Sequence, residues 1–446
     1  MDIEIKADVV AVQGLPQQLS VAQAGRQSAG TATGEGPSPL AEQHIVVVGI
    51  HYAPEPTGVA PSTTAICEYL ATRARLVTVL TGLPHYPQWQ VPAAYRGFRR
   101  NPEQHTPALH VIRHKHFVPS RMTSLGRSAY QATFVRRVIR TELDEKPDLV
   151  LGIVPSSSGA TAAARIARRH GVPLVLLVHD LTGRLSNASN GEPADSRAAA
   201  RAEQKALQAA RTVLIFNESL RAGLLGAGVA ADRIVRINDW ARRRPSALSP
   251  VEARRRLGWP AGRFTVVHAG EIGFAQGLST AVEAAAELSR RDEPVDLVLV
   301  GDGPQRRALE VMAKGLTNVR FVRRPGEDEY PLVLAAADLL LLCERDRMDP
   351  GPAARYLTAH LSAGRPVLAS VPAAGRTARD LAQVPAGVQI VPPGQGWPLA
   401  DAIAILRLSD ERRASMGAAN QAFAVEHLSA SVALARIEQS LAHSTD

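Results

Sequence analysis

Cysteine is nearly absent from this chain of 446 residues: only Cys67 and Cys343 occur, in separate halves and without metal-ligand spacing. That argues against a disulfide scaffold or a zinc site and fits a reducing cytoplasm. Aromatic residues make up 4%, so the cores must be built from aliphatic side chains and alanine-faced helices. No apolar run reaches the roughly 18 residues that a membrane span needs, and the opening MDIEIKADVV has no basic region followed by a long apolar stretch. The expectation is a cytoplasmic protein, peripheral at the inner face of a membrane if it meets one. Acidic residues are outnumbered, leaving a formal net charge of +9. The basic residues are scattered in short groups such as RRRP and EARRRLG, however, and read as solvated helix faces. No nucleic-acid partner is expected.

What is present is a long alternation. With 45% apolar residues the chain can hold about two or three domains of roughly 100–200 residues each. Residues 13–43 are rich in Gly, Ser, Gln and Pro without apolar periodicity, the pattern of a flexible extension. Apolar strand-like runs follow at 45–50, 76–82, 109–114, 148–154, 173–180, 212–217 and 234–240. A helix is expected after Ser62, read as its N-cap, and alanine-rich helices are expected over 158–169 and 197–211. After the basic, proline-containing segment ARRRPSALSP the alternation restarts, with runs at 264–270, 295–302, 319–323, 339–343, 366–371 and 388–393. Strands alternating with helices indicate an α/β fold built on doubly wound parallel sheets. The predicted plan is an N-terminal extension over 1–42, Rossmann-like domains over 43–242 and 243–425, and a C-terminal helix over 426–446 packing back toward the first domain. Such a pair of domains leaves a cleft at the strand ends for ligands.

The second half carries the most informative motif. VVHAG and LVLVG are apolar runs that break at glycine into the polar turns GEIGFAQGL and GDGP. A buried parallel strand delivers a binding loop in this way at its carboxyl end. Backbone N–H groups there can approach an anion, and the helix that follows adds its positive end. Gly270, Glu271, Gly273, Gln276 and Gly277, with Gly301, Asp302 and Gly303, are therefore candidates for holding a phosphate-bearing ligand. For Gly303 a tight turn alone is an equal explanation.

In the first half, Leu83 to Trp89 combines two prolines with polar aromatics after a strand. His85, Tyr86 and Trp89 could stack on or hydrogen-bond a ligand, or the segment could be an edge loop covering the sheet. His179 and Asp180 end an apolar strand. The pair could orient a ligand and take its proton, or Asp180 could cap the next turn. The loop 54–58 follows the first strand and can bring its backbone to a ligand, or Gly58 simply permits the turn before the helix.

These segments resemble the glycosyltransferases of GT-B architecture, family 4, and in particular their colanic-acid-type branch. The resemblance runs in order through GIHYAPEPTG, TGLPHYPQWQ, KPDLVLGIVPS, VHDL, RIVRINDW, GEIGFAQGL, VGDGP, AAADLLL and LSAGRPVLAS, covering roughly 45–425. It implies transfer of a sugar from a nucleotide diphosphate donor, held by the C-terminal domain, to a hydroxyl acceptor held mostly by the N-terminal one. That acceptor would be a lipid-linked surface-polysaccharide intermediate or a small natural product. The resemblance also implies metal independence, no cofactor beyond the donor as co-substrate, and retention of anomeric configuration. His51 and Glu55 join His85, Tyr86 and Trp89 as acceptor-side candidates, and His179 and Asp180 are the candidate catalytic pair.

The chain departs from the family pattern in two places. Ala60 stands where the first loop usually has a second glycine. Counting back from Gly364, the two usual glutamate positions hold Gly351 and Ala359, and the usual phosphate-facing lysine is Tyr356. Arg355, beside it, is the candidate cation for the leaving diphosphate, Asp349 a candidate acidic contact, and Arg323 and Arg324 alternatives that would otherwise be solvated. The competing reading is a catalytically weakened homologue that binds and activates another transferase.

Overall fold

The computed structural model describes residues 38–56, 58–97, 100–121, 123–155, 157–181, 197–241, 244–326, 328–346, 353–384 and 386–445. They build two α/β arrangements whose strands are parallel apart from one edge strand of the first. The first contains β1 (His44–Val48), β2 (Leu76–Gly82), β3 (Arg100–Thr106), β4 (Leu109–His114), β5 (Leu149–Val154), β6 (Leu174–Val178), β7 (Thr212–Ile215) and β8 (Ile234–Arg236), in the order β3-β4-β2-β1-β5-β6-β7-β8. The second contains β9 (Phe264–Ala269), β10 (Val295–Val300), β11 (Val319–Val322), β12 (Leu339–Cys343), β13 (Val367–Ser370) and β14 (Val388–Val391), in the order β11-β10-β9-β12-β13-β14. By compactness the described residues up to 181, with 197–212 and 438–445, form one unit, and 213–437 form the other.

The central strands are continuous Val, Leu and Ile runs because helices cover both faces of the sheet. β1, β5, β6, β10 and β12 are buried at every position. Small side chains let those helices come close. Helix Ser157–His170 lays Ala160, Ala162, Ala163, Ile166 and Ala167 inward.

Two elements differ from the sequence reading. Helix Ala60–Ala71 begins before Ser62, with Val59 as its N-cap and a proline in its first turn. Pro61 needs no N–H partner and its φ is preset for a helix, so it sits in the first turn and Ser62, inside the helix, turns its hydroxyl onto Val59 O at 3.0 Å. β3 is the one antiparallel partner among the described pairs, against β4. Its sequence, RNPEQHT, is polar and mostly exposed. It shows no apolar alternation and tolerates Pro102 because it lies at an edge.

The last helix, Ala430–Thr445, contributes a buried carboxylate to the first unit. Glu438 accepts hydrogen bonds from the hydroxyls of Ser38 and Tyr69, each at 2.6 Å, and from Arg73 Nε at 3.0 Å. Burial would raise its pKa, but these donors hold it below the ordinary carboxylate value. Ser444 and Thr212 share a hydroxyl contact at 3.0 Å.

In each sheet the chain crosses to the other side of its first strand, between β1 and β5 and between β9 and β12. Chain connections leave on opposite sides there, which opens a crevice at the carboxyl ends of the strands. The loops after β1, β9 and β12 are thereby singled out before any side chain is considered.

Candidate functional site

At the switch point of the first sheet, the loop after β1 carries Glu55, which is 5% exposed. Its Oε2 accepts from His51 Nδ1 at 2.7 Å, and its Oε1 accepts from the backbone N–H of His85 at 2.8 Å and of Tyr86 at 3.0 Å. Burial alone would raise the carboxyl pKa. The His51 hydrogen bond, the charges of His51 and His85 and the Tyr86 N–H outweigh it and hold Glu55 ionised below its ordinary range. The carboxylate thus pins the loop after β2 to the loop after β1.

Around it lies a cluster of rings. His85 is 4.8 Å from His116 and 5.6 Å from Trp89 between ring centroids, and Tyr86 stands edge-on to His51 and Trp89. Gly58 is seated against Tyr86, since a Cβ there would come within 3.4 Å of the ring. Tyr130, from helix Ser124–Val138, closes the cluster with its hydroxyl 3.0 Å from His85 Nε2 and 3.4 Å from His51 Nε2. Burial drives the His85 pKa down and takes that of His116 to about 3. Tyr130 and His116 were missed by the sequence reading. They sit inside stretches whose visible pattern is that of ordinary core.

His179 and Asp180 follow β6. Both of their backbone N–H groups reach Val154 O, at 3.0 and 3.4 Å, and Asp180 Oδ1 accepts from Leu181 N–H at 2.8 Å. The carboxylate is therefore organising the backbone that immediately follows the strand.

At the switch point of the second sheet the two glycine loops interlock. Gly270 N–H donates to Val300 O, Ile272 N–H to Asp302 O and Gln305 N–H to Ile272 O. A Cβ on Gly301 would fall 1.8 Å from Gly270 O, and one on Gly303 2.4 Å from Ile272 O. These two glycines are accounted for by backbone contact alone. Asp302 is exposed and its Oδ1 accepts from Gly303 N–H. Gly273 N–H is taken by Gln276 Oε1 at 3.1 Å. Gly277 adopts a left-handed φ of +55° directly before helix Ser279–Arg290. Glu271 O faces His268 Nε2 at 3.3 Å.

Tyr356 lies against this loop, its ring 3.1 Å from where a Gly270 Cβ would stand. Tyr330 donates its hydroxyl to Ala269 O at 3.0 Å, and Arg324, exposed, lowers the Tyr330 pKa against the dominant upward effect of burial. Arg323 is likewise exposed. Asp349 and the Arg355 side chain lie outside the described residues.

A cation that the sequence reading passed over is nearer. Arg345 follows β12, its N–H donates to Ala275 O at 2.9 Å, and its backbone is 3.2 Å from where a Gly277 Cβ would stand. With Gly273, Gly277, Ser279 and Gln305 it lines a small cavity of about 70 Å³. Its guanidinium is exposed and makes no ion pair among the described residues. Within the run ERDR, nothing in the sequence set it apart. A larger hollow of about 560 Å³, lined by Ala386, Val388, Gln389, Glu411 and Arg412, lies at the amino end of β14, the wrong end of the sheet for a switch-point ligand.

Comparison with known proteins agrees with this layout. Residues 57–240 match the model of a glycosyl transferase 4-like domain, and residues 263–409 that of glycosyl transferases group 1. The chain is 31% identical over 317 residues to a putative colanic acid biosynthesis glycosyl transferase of Escherichia coli (strain K12), covering 68% of this chain and 76% of that protein. It belongs to the family 4 glycosyltransferases, in their colanic-acid-type branch. This glycosyltransferase is also 29% identical over 189 residues to an alpha-D-kanosaminyltransferase of Streptomyces kanamyceticus, covering 40% of this chain and 49% of that one. Its GT-B fold matches Anabaena HepE, solved in complex with UDP and glucose, with a TM-score of 0.61 at 19% identity over 90% of this chain and 100% of that one. It also matches the sucrose-phosphate synthase of Thermosynechococcus elongatus, with a TM-score of 0.63 at 18% identity over 89% and 98% of the two chains. No helix among the described residues is long and apolar enough to cross a membrane.

Among the described residues, one group could hold a metal ion: His51, Glu55 and His85, with ligand atoms within 4.8 Å of one another. The donor set fits an ion poorly. Glu55 Oε1 is occupied by two backbone N–H groups, and His85 Nδ1 points at Leu83 O at 2.8 Å, so that nitrogen carries a proton rather than a free lone pair.

Proposed function

We propose that this glycosyltransferase takes its sugar from a nucleoside diphosphate donor held by the second unit, and passes it to a hydroxyl of an acceptor held by the first. The observation that carries the donor half is the switch-point cradle, where Gly277, the start of helix Ser279–Arg290 and Arg345, which makes no ion pair among the described residues, line one cavity. Departure of the diphosphate leaves negative charge on its terminal oxygen. A helix N-terminus and an arginine beside it stabilise such charge without a metal ion. One preorganised donor of this kind is worth about 2.7–4 kcal/mol in the transition state. On this reading Arg345 takes the place that sequence alone assigned to Arg355, transfer is metal-independent, and family resemblance implies retention of configuration. His51, Tyr86 and Trp89 supply the polar and aromatic surface that a saccharide or an aminoglycoside-like acceptor requires, with Glu55 and His85 buried behind them.

The test is a melting-temperature titration of the full chain with UDP, ADP, GDP and dTDP. At least one is expected to stabilise it. Arg345→Ala is expected to weaken that nucleotide by about 10–100-fold, the loss of a charge-assisted hydrogen bond of about 1.5–3 kcal/mol. If none of the four shifts the melting temperature, the donor reading fails. Tyr356, packed on Gly270 where the family resemblance expects a lysine, favours a second reading in which the protein binds donor without turning it over. Nucleotide binding with no transfer across an acceptor panel would select it.

A further inference from the structure

Between Glu103 and Glu142 the chain has no aspartate or glutamate, while Lys115, Arg121, Arg127, Arg136, Arg137 and Arg140 all fall inside that stretch. Two pieces of it meet at one place. After β4 the chain runs on with Lys115 and Phe117 exposed and His116 buried between them in the ring cluster. Phe117 N–H donates to Thr133 Oγ1 at 2.9 Å, which lays this segment along helix Ser124–Val138. The helix is capped by Thr123, whose hydroxyl oxygen accepts from Gly126 N–H at 3.0 Å. Arg121 O stands 3.5 Å from where a Gly126 Cβ would be, so Arg121 sits beside the first turn. Leu125, in that turn, is 81% exposed, and Phe117 is 47% exposed. Ala132 and Arg136 continue the exposed stripe from Leu125 at helical spacing.

This composition runs against local stability. The first turn of the helix holds no acidic residue, although the helix dipole favours one there, and it keeps a leucine in water. Breaking such local rules at one place is a mark of function. We infer that Phe117 and Leu125, flanked by Lys115 and Arg121, dock the first unit on a bilayer of anionic phospholipid. The apolar tips enter the headgroup boundary while the cations meet lipid phosphates. Charge complementarity selects this occupant. A second copy would set the same cations against themselves in a two-fold contact, and separate apolar tips do not make the packed centre of a protein interface. The face backs onto the ring cluster, through His116 between Lys115 and Phe117 and through Tyr130, which follows Leu125 by about 7.5 Å along the helix axis. On the transferase reading above, the cluster thereby meets an acceptor at the lipid surface; the docking itself does not depend on that reading.

The experiment is sedimentation of the full chain with vesicles of phosphatidylcholine alone, and with vesicles of which about one third is phosphatidylglycerol. Binding is expected to the anionic vesicles only, and to weaken as salt is raised. Leu125→Gln is expected to lower vesicle affinity about tenfold. Lys115→Ala combined with Arg121→Ala is expected to lower it about 25-fold, or about fivefold for each cation. All three side chains are exposed, so the melting temperature should stay where it is. Arg255→Ala with Arg256→Ala, an exposed basic pair of the second unit, is the control and should leave vesicle binding unchanged. The docking face is overturned if anionic vesicles do not carry the protein down, if phosphatidylcholine alone does so equally, if Leu125→Gln binds like the parent, or if the control pair costs as much as Lys115 and Arg121. Nucleotide stabilisation measured on the same samples separates the two readings, since either the vesicle contact or the donor site can fail while the other stands.

Discussion

At the scale of single residues, Glu55 is the keystone of the first-unit cluster, because one carboxylate serves two loops and a histidine. Glu55→Gln keeps the shape but replaces one acceptor oxygen by an NH₂ group that must face either His51 Nδ1 or the two backbone N–H groups. It is expected to cost about 1–3 kcal/mol by leaving buried donors unsatisfied, measurable as a fall in urea midpoint, and to reduce transfer more than it reduces nucleotide binding. Residues of this kind were legible in the sequence when they sat in loops of odd composition. His51, Glu55, His85 and Trp89 stood out because prolines and polar rings directly after a strand are neither core nor linker. Tyr130 was not legible, since one tyrosine in SLGRSAYQATFVRRV reads as the apolar face of a helix. Arg345 was hidden for the opposite reason, as one of several charges in a polar turn. Which of them faces a glycine loop is decided by pairing between β9 and β12, and these strands lie some 70 residues apart in sequence.

At the scale of elements, the donor cradle is shaped by backbone meeting backbone. Gly301→Ala would drive a methyl group into Gly270 O, so the two loops would have to separate. It is expected to abolish nucleotide stabilisation and lower the melting temperature together. Gly277→Ala is milder. It pays the left-handed conformation, about 1–2 kcal/mol, and crowds the Arg345 backbone at 3.2 Å, so nucleotide affinity should fall with the sheet intact. The alternation of strands and helices was readable because buried parallel strands are unbroken aliphatic runs. β3 escaped because an edge strand has no buried face to write into its sequence, and the start of helix Ala60–Ala71 was displaced because Pro61 overrules Ser62 as the starting signal.

At the scale of the whole molecule, buried histidines set the acid response. Burial lowers His114 and His360 to about 4 and His116 to about 3, from an ordinary 6.5. The folded state thus binds fewer protons than the unfolded chain below about pH 6.5, and stability is lost as pH falls from there toward the folded values. Glu55 and Glu438 act in the same direction but later. Their depressed pKa values stabilise the fold above the ordinary 4.5 and release that stability only as pH falls through the lower folded values. The melting temperature is therefore expected to start falling near pH 6.5, and a flat profile down to about pH 5 would contradict the assignment of neutral buried histidines. The carboxylate of Glu438 has a consequence in time as well as in energy. It gathers Ser38, Tyr69 and Arg73 from the far end of the chain, so the first unit to leave the ribosome is among the last to be completed. Nascent chains fold from the N-terminus as they emerge, and this one must wait with that corner open until residue 438 has been made. Stalled chains ending before Glu438 are expected to be cut by protease near Ser38 and Tyr69, and chains released after residue 445 to resist.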